Sequence, residues 1–416
     1  MGAFSIFGGK KQKVSDGKSY YHRISVFFAL AKYLCLLLAL AALLYGFSFR
    51  TDEINADNFR YLLSFLGDGE TETQAYSTVY YDNNETNRFA LVRGDLAVVN
   101  NSGVAVYGLS GARRSVDTGF KMDSPEVMHS AKYMYIYDLG GSEVVIKSTL
   151  ETVNTLSYDF PIRAATATDN GHFAVVSEKK TSRSSVFVYD ESFREVYNCS
   201  YSSLYTLSVD LSSDASRLVT ASVEAVGGEF VTTLYLYSLS EKEPLVKHSI
   251  TGEYPYKVAF GDGGEIILLT DKSCRFYGKS GEEISTLTFG NEGISGFDIG
   301  GKYFVRTYPL STLSSAVRLE VYGVSDGAFV WGKDFESGLR LAKTLGGYLF
   351  TSSNEGLTVR DIAAKEERFT STDEGVIQLL PVEDGKTLVL TEGSGSVLDY
   401  KALFGTKGDD SDGSDN

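Results

Sequence analysis

Two patterns of apolar and polar positions divide this chain. From Ile24 to Phe49 almost every residue is apolar, and Lys32 is the only charged residue in that stretch. After about residue 75, apolar residues alternate with polar ones or form short runs, which Gly, Asn, Asp or Ser interrupts every few residues. A long apolar run is typical of a membrane-spanning helix, and short interrupted runs are typical of β-strands. The chain is therefore predicted to combine one apolar helix with a large all-β domain.

The β-rich region contains one unit that recurs eight times. Each unit reads as an inner strand, a strong apolar strand, a third strand that often ends in Tyr, and an outer strand. The late position of the third strand recurs every 38 to 48 residues, near Tyr107, Ile146, Tyr189, Tyr237, Tyr277, Tyr322, Arg360 and Leu398. Such periods, with four strands each, are typical of propeller blades. We predict a β-propeller of about eight four-stranded blades. Seven blades, or two β-sandwiches, are the alternatives.

Closure of the ring is predicted from a segment that precedes the first unit. The eighth unit has no outer strand of its own, and Ser77–Asp82 has strand character but no partner nearby in sequence. This segment can supply the missing strand and remove an exposed sheet edge. The longer connections near Lys179, Gly227 and Leu310 are predicted to be loops on one rim or the other.

The apolar segment is predicted to cross a membrane once, with the N-terminus in the cytoplasm. Residues 1–32 carry a net charge of +5, and Asp52, Glu53 and Asp57 follow the segment. The positive-inside rule places the basic end in the cytoplasm. A cleaved signal peptide is the alternative, although its apolar region is usually only about 7 to 15 residues long.

These patterns predict five segments. Apolar residues recur at helical spacing between Asn55 and Gly69, so a short amphipathic helix is expected there. The segments are a basic cytoplasmic tail (1–23), a transmembrane helix (24–49), a juxtamembrane linker with that amphipathic helix (50–75), the propeller (76–404) and an acidic disordered tail (405–416).

The charge of the outer region limits its partners. The residues after position 32 carry a net charge of −20, which repels nucleic acid phosphates and argues against DNA or RNA binding. A protein partner is expected to offer a basic surface. Cys199 and Cys274 fall two repeats apart, so they are expected to be free thiols.

The repeat pattern resembles the membrane-anchored WD40-like and quinoprotein-like propellers of bacteria, notably uncharacterised families with one N-terminal helix. The chain has no Trp-Asp dipeptide, and Trp331 is its only tryptophan. The resemblance implies a binding or scaffolding role at the cell envelope. It carries over no functional residue.

The sequence contains no catalytic signature. His129, His172 and His248 fall in three different units, and no two histidines have metal-ligand spacing. No Gly-x-Ser-x-Gly nucleophile elbow and no phosphate-binding loop occurs, and the glycine-rich stretch at Glu392 lies in a predicted hairpin. The sequence therefore predicts no catalytic, cofactor-binding or metal-ligating residue.

Three functions remain open at this stage. The first is a non-catalytic extracytoplasmic scaffold in the plasma membrane that binds a protein or an envelope polymer. The second is a carbohydrate hydrolase or lyase that uses carboxylates in the propeller channel. The third is a sensor subunit with a separate cytoplasmic partner. The absence of motifs favours the first.

Overall fold

The structure is a computed structural model that describes residues 26–38, 40–41, 76–311, 314–336, 338–353, 356–370 and 375–405. The chain separates into two compact units, Met1–Gly69 and Glu70–Asn416. The predicted cytoplasmic tail, the amphipathic helix in the linker and the acidic C-terminal tail lie outside the described residues, apart from Gly405.

The first unit contains one apolar helix, α1. Residues 26–38 and 40–41 are helical, which confirms a helix in the predicted apolar segment. Its large apolar side chains are exposed, including Phe27, Leu34 and Leu37. Within the parts of the chain that the structure describes, no helix has both the length and the apolar character that a membrane span requires.

The second unit is a ring of eight four-stranded antiparallel sheets, as predicted. We number these sheets as blades 1 to 8 in chain order. The strands of blades 1 to 4 are β2 (Arg88–Val92), β3 (Asp95–Asn100), β4 (Gly103–Gly108), β5 (Arg113–Asp117), β6 (Pro125–His129), β7 (Met134–Asp138), β8 (Glu143–Lys147), β9 (Thr152–Ser157), β10 (Ala164–Ala167), β11 (Phe173–Lys179), β12 (Ser182–Tyr189), β13 (Glu195–Tyr201), β14 (Tyr205–Leu211), β15 (Arg217–Val226), β16 (Glu229–Ser238) and β17 (Val246–Thr251).

Blades 5 to 8 follow the same order, and a short helix, α2 (Ala402–Gly405), ends the described chain. Their strands are β18 (Pro255–Phe260), β19 (Ile266–Thr270), β20 (Ser273–Tyr277), β21 (Glu283–Thr288), β22 (Gly296–Ile299), β23 (Tyr303–Pro309), β24 (Val317–Gly323), β25 (Phe329–Phe335), β26 (Leu341–Leu345), β27 (Tyr348–Ser353), β28 (Gly356–Asp361), β29 (Glu366–Thr370), β30 (Gln378–Glu383), β31 (Lys386–Leu390), β32 (Ser394–Asp399) and β1 (Val79–Tyr80).

Strand β1 closes the ring, which confirms the predicted role of Ser77–Asp82. It pairs antiparallel with β32, with Val79 opposite Gly395, and so becomes the fourth strand of blade 8. The Tyr81 hydroxyl donates to the carbonyl of Thr391 at 2.6 Å, which ties the end of this segment to the same blade. The first and last parts of the propeller sequence are thereby joined in one sheet.

The hydrophobic core is distributed between the blades. Eight clusters of buried residues occupy the eight blade interfaces of the described ring. The cluster that seals blade 8 against blade 1 includes Val79, Phe89, Leu96 and Leu388. A single blade cannot bury both of its apolar faces, so stability requires the complete ring.

The ring has two rims, which differ in the turns they carry. Because adjacent strands are antiparallel, the turns between strands one and two and between strands three and four share one end of each blade, the first rim. The opposite end of each blade is the second rim. It carries the hairpins between strands two and three and the connections between blades. The chain enters at the first rim, where the Ser77 amide donates to the Leu109 carbonyl at 2.9 Å.

Two of the three long connections extend strands. The prediction of loops near Lys179 and Gly227 is wrong, since β11 and β12 pair out to Lys179 opposite Ser182, and β15 and β16 pair out to Val226 opposite Glu229. In β15 and β16 the apolar and β-branched residues Val223, Val226 and Val231 continue the ladder, whereas the extension near Lys179 is made of polar residues. Near Leu310 the prediction of a loop is confirmed.

Candidate interaction surface

The second rim carries a projecting hairpin on blade 4, made of β15 and β16. Its turn is Gly227–Gly228, and both glycines have positive φ, 63° and 93°. Two-residue hairpin turns require positive φ, and glycine adopts such φ values at little steric cost. The first strand of the blade pairs only as far as Val223, so three more residues of β15 extend beyond it, about 10 Å at strand spacing.

Three aromatic residues gather beside this hairpin and form what we call the aromatic patch: Phe230, Tyr254 and Tyr256. The ring of Phe230 meets that of Tyr254 edge to face, with centroids 5.4 Å apart, and Tyr254 lies 6.3 Å from Tyr256. Phe230 is 52% exposed and Tyr256 is 48% exposed. Large aromatic rings left in water on a projecting element are typical of binding surfaces.

The aromatic patch stands on a rigid polar base around Glu253. This carboxylate accepts hydrogen bonds from the hydroxyls of Thr270 at 2.6 Å and Ser273 at 2.7 Å, and from the guanidinium of Arg275 at 2.9 Å. Burial alone would raise the pKa of Glu253, but these hydrogen bonds lower it below its ordinary value. The charged carboxylate therefore fixes the connection that carries Tyr254.

A cleft of about 720 Å³ lies between β13, the outer strand of blade 3, and β16, the third strand of blade 4. It is lined by tyrosines, and the hydroxyls of Tyr201 and Tyr237 are 3.0 Å apart, so they satisfy each other. Cys199 also lines it, and burial raises the pKa of its thiol to about 11. A thiol with that pKa is a poor nucleophile at neutral pH.

The enzyme hypothesis requires carboxylates at the centre of the ring. Asp169, Asp210 and Asp262 line a cavity of about 500 Å³ near the first rim. Asp210 accepts from the Thr166 hydroxyl at 3.0 Å and from the Phe260 amide at 2.8 Å, so it links the first strands of three neighbouring blades. Burial raises its pKa. These hydrogen bonds give Asp210 a structural role.

The histidines of the propeller lie apart from one another. His129 ends β6, and burial lowers its pKa. The His172 ring lies 3.0 Å from the Asn170 side chain, and the His248 ring contacts the Gly281 carbonyl at 2.7 Å. The described residues contain no group of three or more His, Cys, Asp or Glu side chains that could hold a metal ion.

Sequence reasoning did not identify the aromatic patch. The available signal was the Gly227–Gly228 pair between two runs of β-branched and apolar residues, which indicates a tight hairpin. Phe230 comes from blade 4 and Tyr256 from blade 5, so their proximity depends on how the blades pack.

Comparisons with known proteins agree with this architecture. A family model described as "Family of unknown function (DUF5711)" matches residues 70–397. The structure is similar to that of Sqt1 from Saccharomyces cerevisiae, with a TM-score of 0.55, 12% identity, and coverage of 78% of this chain and 99% of that chain. It is also similar to the C-terminal WD40 domain of Sif2, with a TM-score of 0.51, 13% identity and the same coverage. No curated protein matches the sequence. At these identities the similarity supports a WD40-like propeller fold and nothing more specific.

Proposed function

We propose that this chain, which belongs to the DUF5711 family of unknown function, is a membrane-anchored, extracytoplasmic propeller. In this proposal it binds a protein without catalysis. The second rim is the binding surface in this proposal, and the aromatic patch is its centre. Propellers commonly present binding groups on loops and hairpins around a rim.

The observation that carries the proposal is the exposure of the aromatic patch, which the β15–β16 hairpin and the first strand of blade 5 form together. Phe230 and Tyr256 are each about half exposed, although most large apolar residues of the ring are buried between blades. Burial of an aromatic ring against a partner stabilises a complex by about 1.5–3 kcal/mol. Because Tyr254 and its base are held by hydrogen bonds, little ordering entropy is lost on binding.

The anchor part of the proposal is supported by α1 and its flanks. The helix exposes apolar side chains on all faces, among them Phe28, Leu36 and Leu40. A helix that is apolar on all faces is stable when it is surrounded by lipid or by other protein. The basic residues before it and the acidic residues after it favour a cytoplasmic N-terminus. Protease added outside spheroplasts should therefore digest the propeller, and its protection would contradict this topology.

The binding proposal is tested by site-specific photocrosslinking of the full chain in its native membrane. The photoreactive residue p-benzoylphenylalanine replaces Phe230 in one variant and Phe329 in a matched control. Phe329 is 54% exposed and begins the outer strand of blade 6 at the first rim. A discrete crosslinked product is expected from position 230 and not from position 329.

A second variant tests whether the product depends on the patch. With Tyr254→Ala and Tyr256→Ala present, crosslinking from position 230 should fall at least tenfold, because two of the three rings are gone. The proposal is wrong if position 230 gives no product, or if positions 230 and 329 give the same products in equal yield.

A further inference from the structure

The outermost strand of blade 3, β13, leaves one edge of its backbone without a partner. β13 ends the strand order of its sheet, and its ladder with β12 is regular from Tyr197 to Tyr201, beyond a bulge at its first-rim end. Among the described residues, no hydrogen bond joins the outward N–H and C=O groups of this stretch to another group. Each blade has an outer edge of this kind. A free edge over about 17 Å is a template for another strand.

At β13 the free edge borders the tyrosine-lined cleft of about 720 Å³ between blades 3 and 4, which we call the edge cleft. Every residue of β13 lines it. The opposite wall belongs to blade 4 and consists of Tyr235, Tyr237 and the turn Lys242–Pro244. Side chains alternate along a strand, and Tyr197, Cys199 and Tyr201 face this wall, because they pack in the cluster between blades 3 and 4. Space for a ligand therefore lies directly beside the free edge.

The hydroxyl of Tyr197 has no hydrogen-bond partner in the part of the chain that the structure describes. The residue is 9% exposed and lines the edge cleft. Burial raises its pKa to about 12, so the hydroxyl keeps its proton at neutral pH and can act as a donor. A buried hydroxyl without a partner costs free energy, which an acceptor on a bound ligand recovers. A peptide carbonyl is such an acceptor.

The tyrosine rings of the edge cleft pack their faces against each other. The Tyr235 ring stacks on that of Tyr201 at a centroid distance of 5.2 Å and on that of Tyr237 at 5.9 Å. The Lys247 ammonium lies 5.6 Å from the centre of the Tyr235 ring. Covered ring faces do not offer the flat platform on which a sugar ring stacks. The cleft instead presents ring edges, hydroxyls and a strand edge, which suit an extended peptide.

The lining of the edge cleft carries little net charge. Its charged residues are Glu195, at the first-rim end of β13, and Lys242 and Glu243 on the first-rim turn of blade 4. Residues 196–201 contain neither a charge nor a proline, which are features that protect many exposed strand edges from pairing. The pairing surface is therefore neutral, and its first-rim end is acidic by about one charge and favours a basic residue at the end of a ligand.

We propose that the edge cleft is a β-augmentation site, in which an extended, largely uncharged peptide segment pairs with β13 as a fifth strand of blade 3. The backbone of the segment bonds to the free edge, and every second side chain enters the cleft against Tyr197 and Tyr235. β-Branched side chains suit this role because they fit a pleated, half-buried surface. The site lies along the outer circumference of the ring, so it is additional to the aromatic patch and goes beyond the proposed function.

Hydrogen exchange of the full chain in detergent micelles, read residue by residue by mass spectrometry, tests whether the edge is free and whether a peptide covers it. Only every second amide from Tyr197 to Tyr201 bonds to β12, so slow and fast exchange should alternate in the free protein. The probe is the peptide Lys-Thr-Val-Thr-Val-Thr-Lys. At saturation it should slow the fast amides of β13 at least tenfold and leave those of β9, the outer strand of blade 2, unchanged.

Two N-methylated isomers of the probe test whether pairing runs through the backbone. One carries methyl groups on its two valine amides and the other on two of its threonine amides, so both have the same charge and composition. Alternate amides of a strand point to opposite edges, so one isomer blocks the edge that meets β13 and the other blocks the outer edge. In fluorescence anisotropy, one isomer should bind at least tenfold less tightly than the labelled probe, and the other should bind within threefold of it.

Tyrosine variants assign the site. Tyr197→Phe removes the hydroxyl donor and should weaken binding of the probe about two- to tenfold, because one hydrogen bond is lost. Tyr277→Phe is the matched control, since the Tyr277 hydroxyl of blade 5 is likewise buried and unpaired within the described chain, and it should not change binding. Tyr254→Ala combined with Tyr256→Ala should also leave probe binding unchanged, which separates this site from the aromatic patch.

Three outcomes would overturn the inference. The first is unchanged exchange of the β13 amides in the presence of the probe. The second is an equal effect of the two methylated isomers, or of Tyr197→Phe and Tyr277→Phe, on binding. The third is tighter binding of maltohexaose than of the probe at this cleft, which would assign the cleft to glycans. Crosslinking from position 230 in native membranes reads the proposed function separately, so either proposal can fail while the other stands.

Discussion

Truncation of the closing strand should weaken the whole ring. Val79 is fully buried in the interface between blades 8 and 1, whereas its neighbour Tyr80 is 73% exposed on the same strand. Val79→Ala removes two buried carbon atoms, about 1.6 kcal/mol of transfer free energy at about 0.8 kcal/mol each. The cavity left behind raises the expected loss to about 2–3 kcal/mol. Tyr80→Ala is the matched control and should change stability by no more than about 0.5 kcal/mol.

Trp331 provides the assay, because it is the only tryptophan and lies in blade 6, away from the mutation. Thermal unfolding of the full chain in detergent is followed by its fluorescence. At about 2 °C per kcal/mol, the midpoint of Val79→Ala should fall by about 4–6 °C. The reasoning would be refuted if the unfolding midpoint reported by Trp331 fell no further in Val79→Ala than in Tyr80→Ala. Blade 6 would then keep its stability when the ring closure is weakened.

Two buried carboxylates predict opposite responses to pH. Burial raises the pKa of Asp95 to about 6 despite Arg114 nearby, so the charged form costs stability above pH 6 and the cost disappears as pH falls toward 4. In urea denaturation, Asp95→Asn should therefore raise the free energy of unfolding by about 1–3 kcal/mol at pH 8 and change it little near pH 4. An equal effect at both pH values would contradict this. Burial would raise the pKa of Glu320, but hydrogen bonds lower it below its ordinary value. The charged Glu320 therefore stabilises the folded state above about pH 4.5, and this stabilisation is lost as pH falls through the folded-state pKa. Glu320→Gln should cost about 3 kcal/mol at pH 7, because it leaves the Arg306 guanidinium buried without its carboxylate, and less at pH 3; equal stability of variant and parent at pH 7 would refute it.

The blade count and the closing strand could be predicted because both depend on local patterns. Each unit repeats an apolar second strand and a third strand at a regular interval, and Ser77–Asp82 is a strand pattern without a nearby partner. The length of the blade 4 hairpin was missed because a glycine pair between two strand-like runs resembles a loop when only its polarity is considered. Pairing along β15 shows that the alternation continues to Val226.

The rim surfaces could not be predicted because they are assembled across blades. Arg163 and Arg183 meet over Tyr205, and the three residues belong to two different blades. The expectation that a protein partner offers a basic surface stays a prediction, since it rests on the net charge of the outer region alone. A sum over the sequence has no information about which charges share a rim.

The pairing of β1 with β32 sets an order for the folding of this protein. Val79 and its partner Gly395 are far apart in sequence, so the contact forms only after nearly the whole propeller has left the ribosome. At about 5–20 residues per second, synthesis of the intervening chain takes roughly 15–60 s. During that interval the first seven blades can stack in sequence, while the apolar face of blade 1 stays without its neighbour. A chain that stalls before blade 8 would leave the apolar faces of blades 1 and 7 exposed, so the last blade acts as a check that synthesis has passed it.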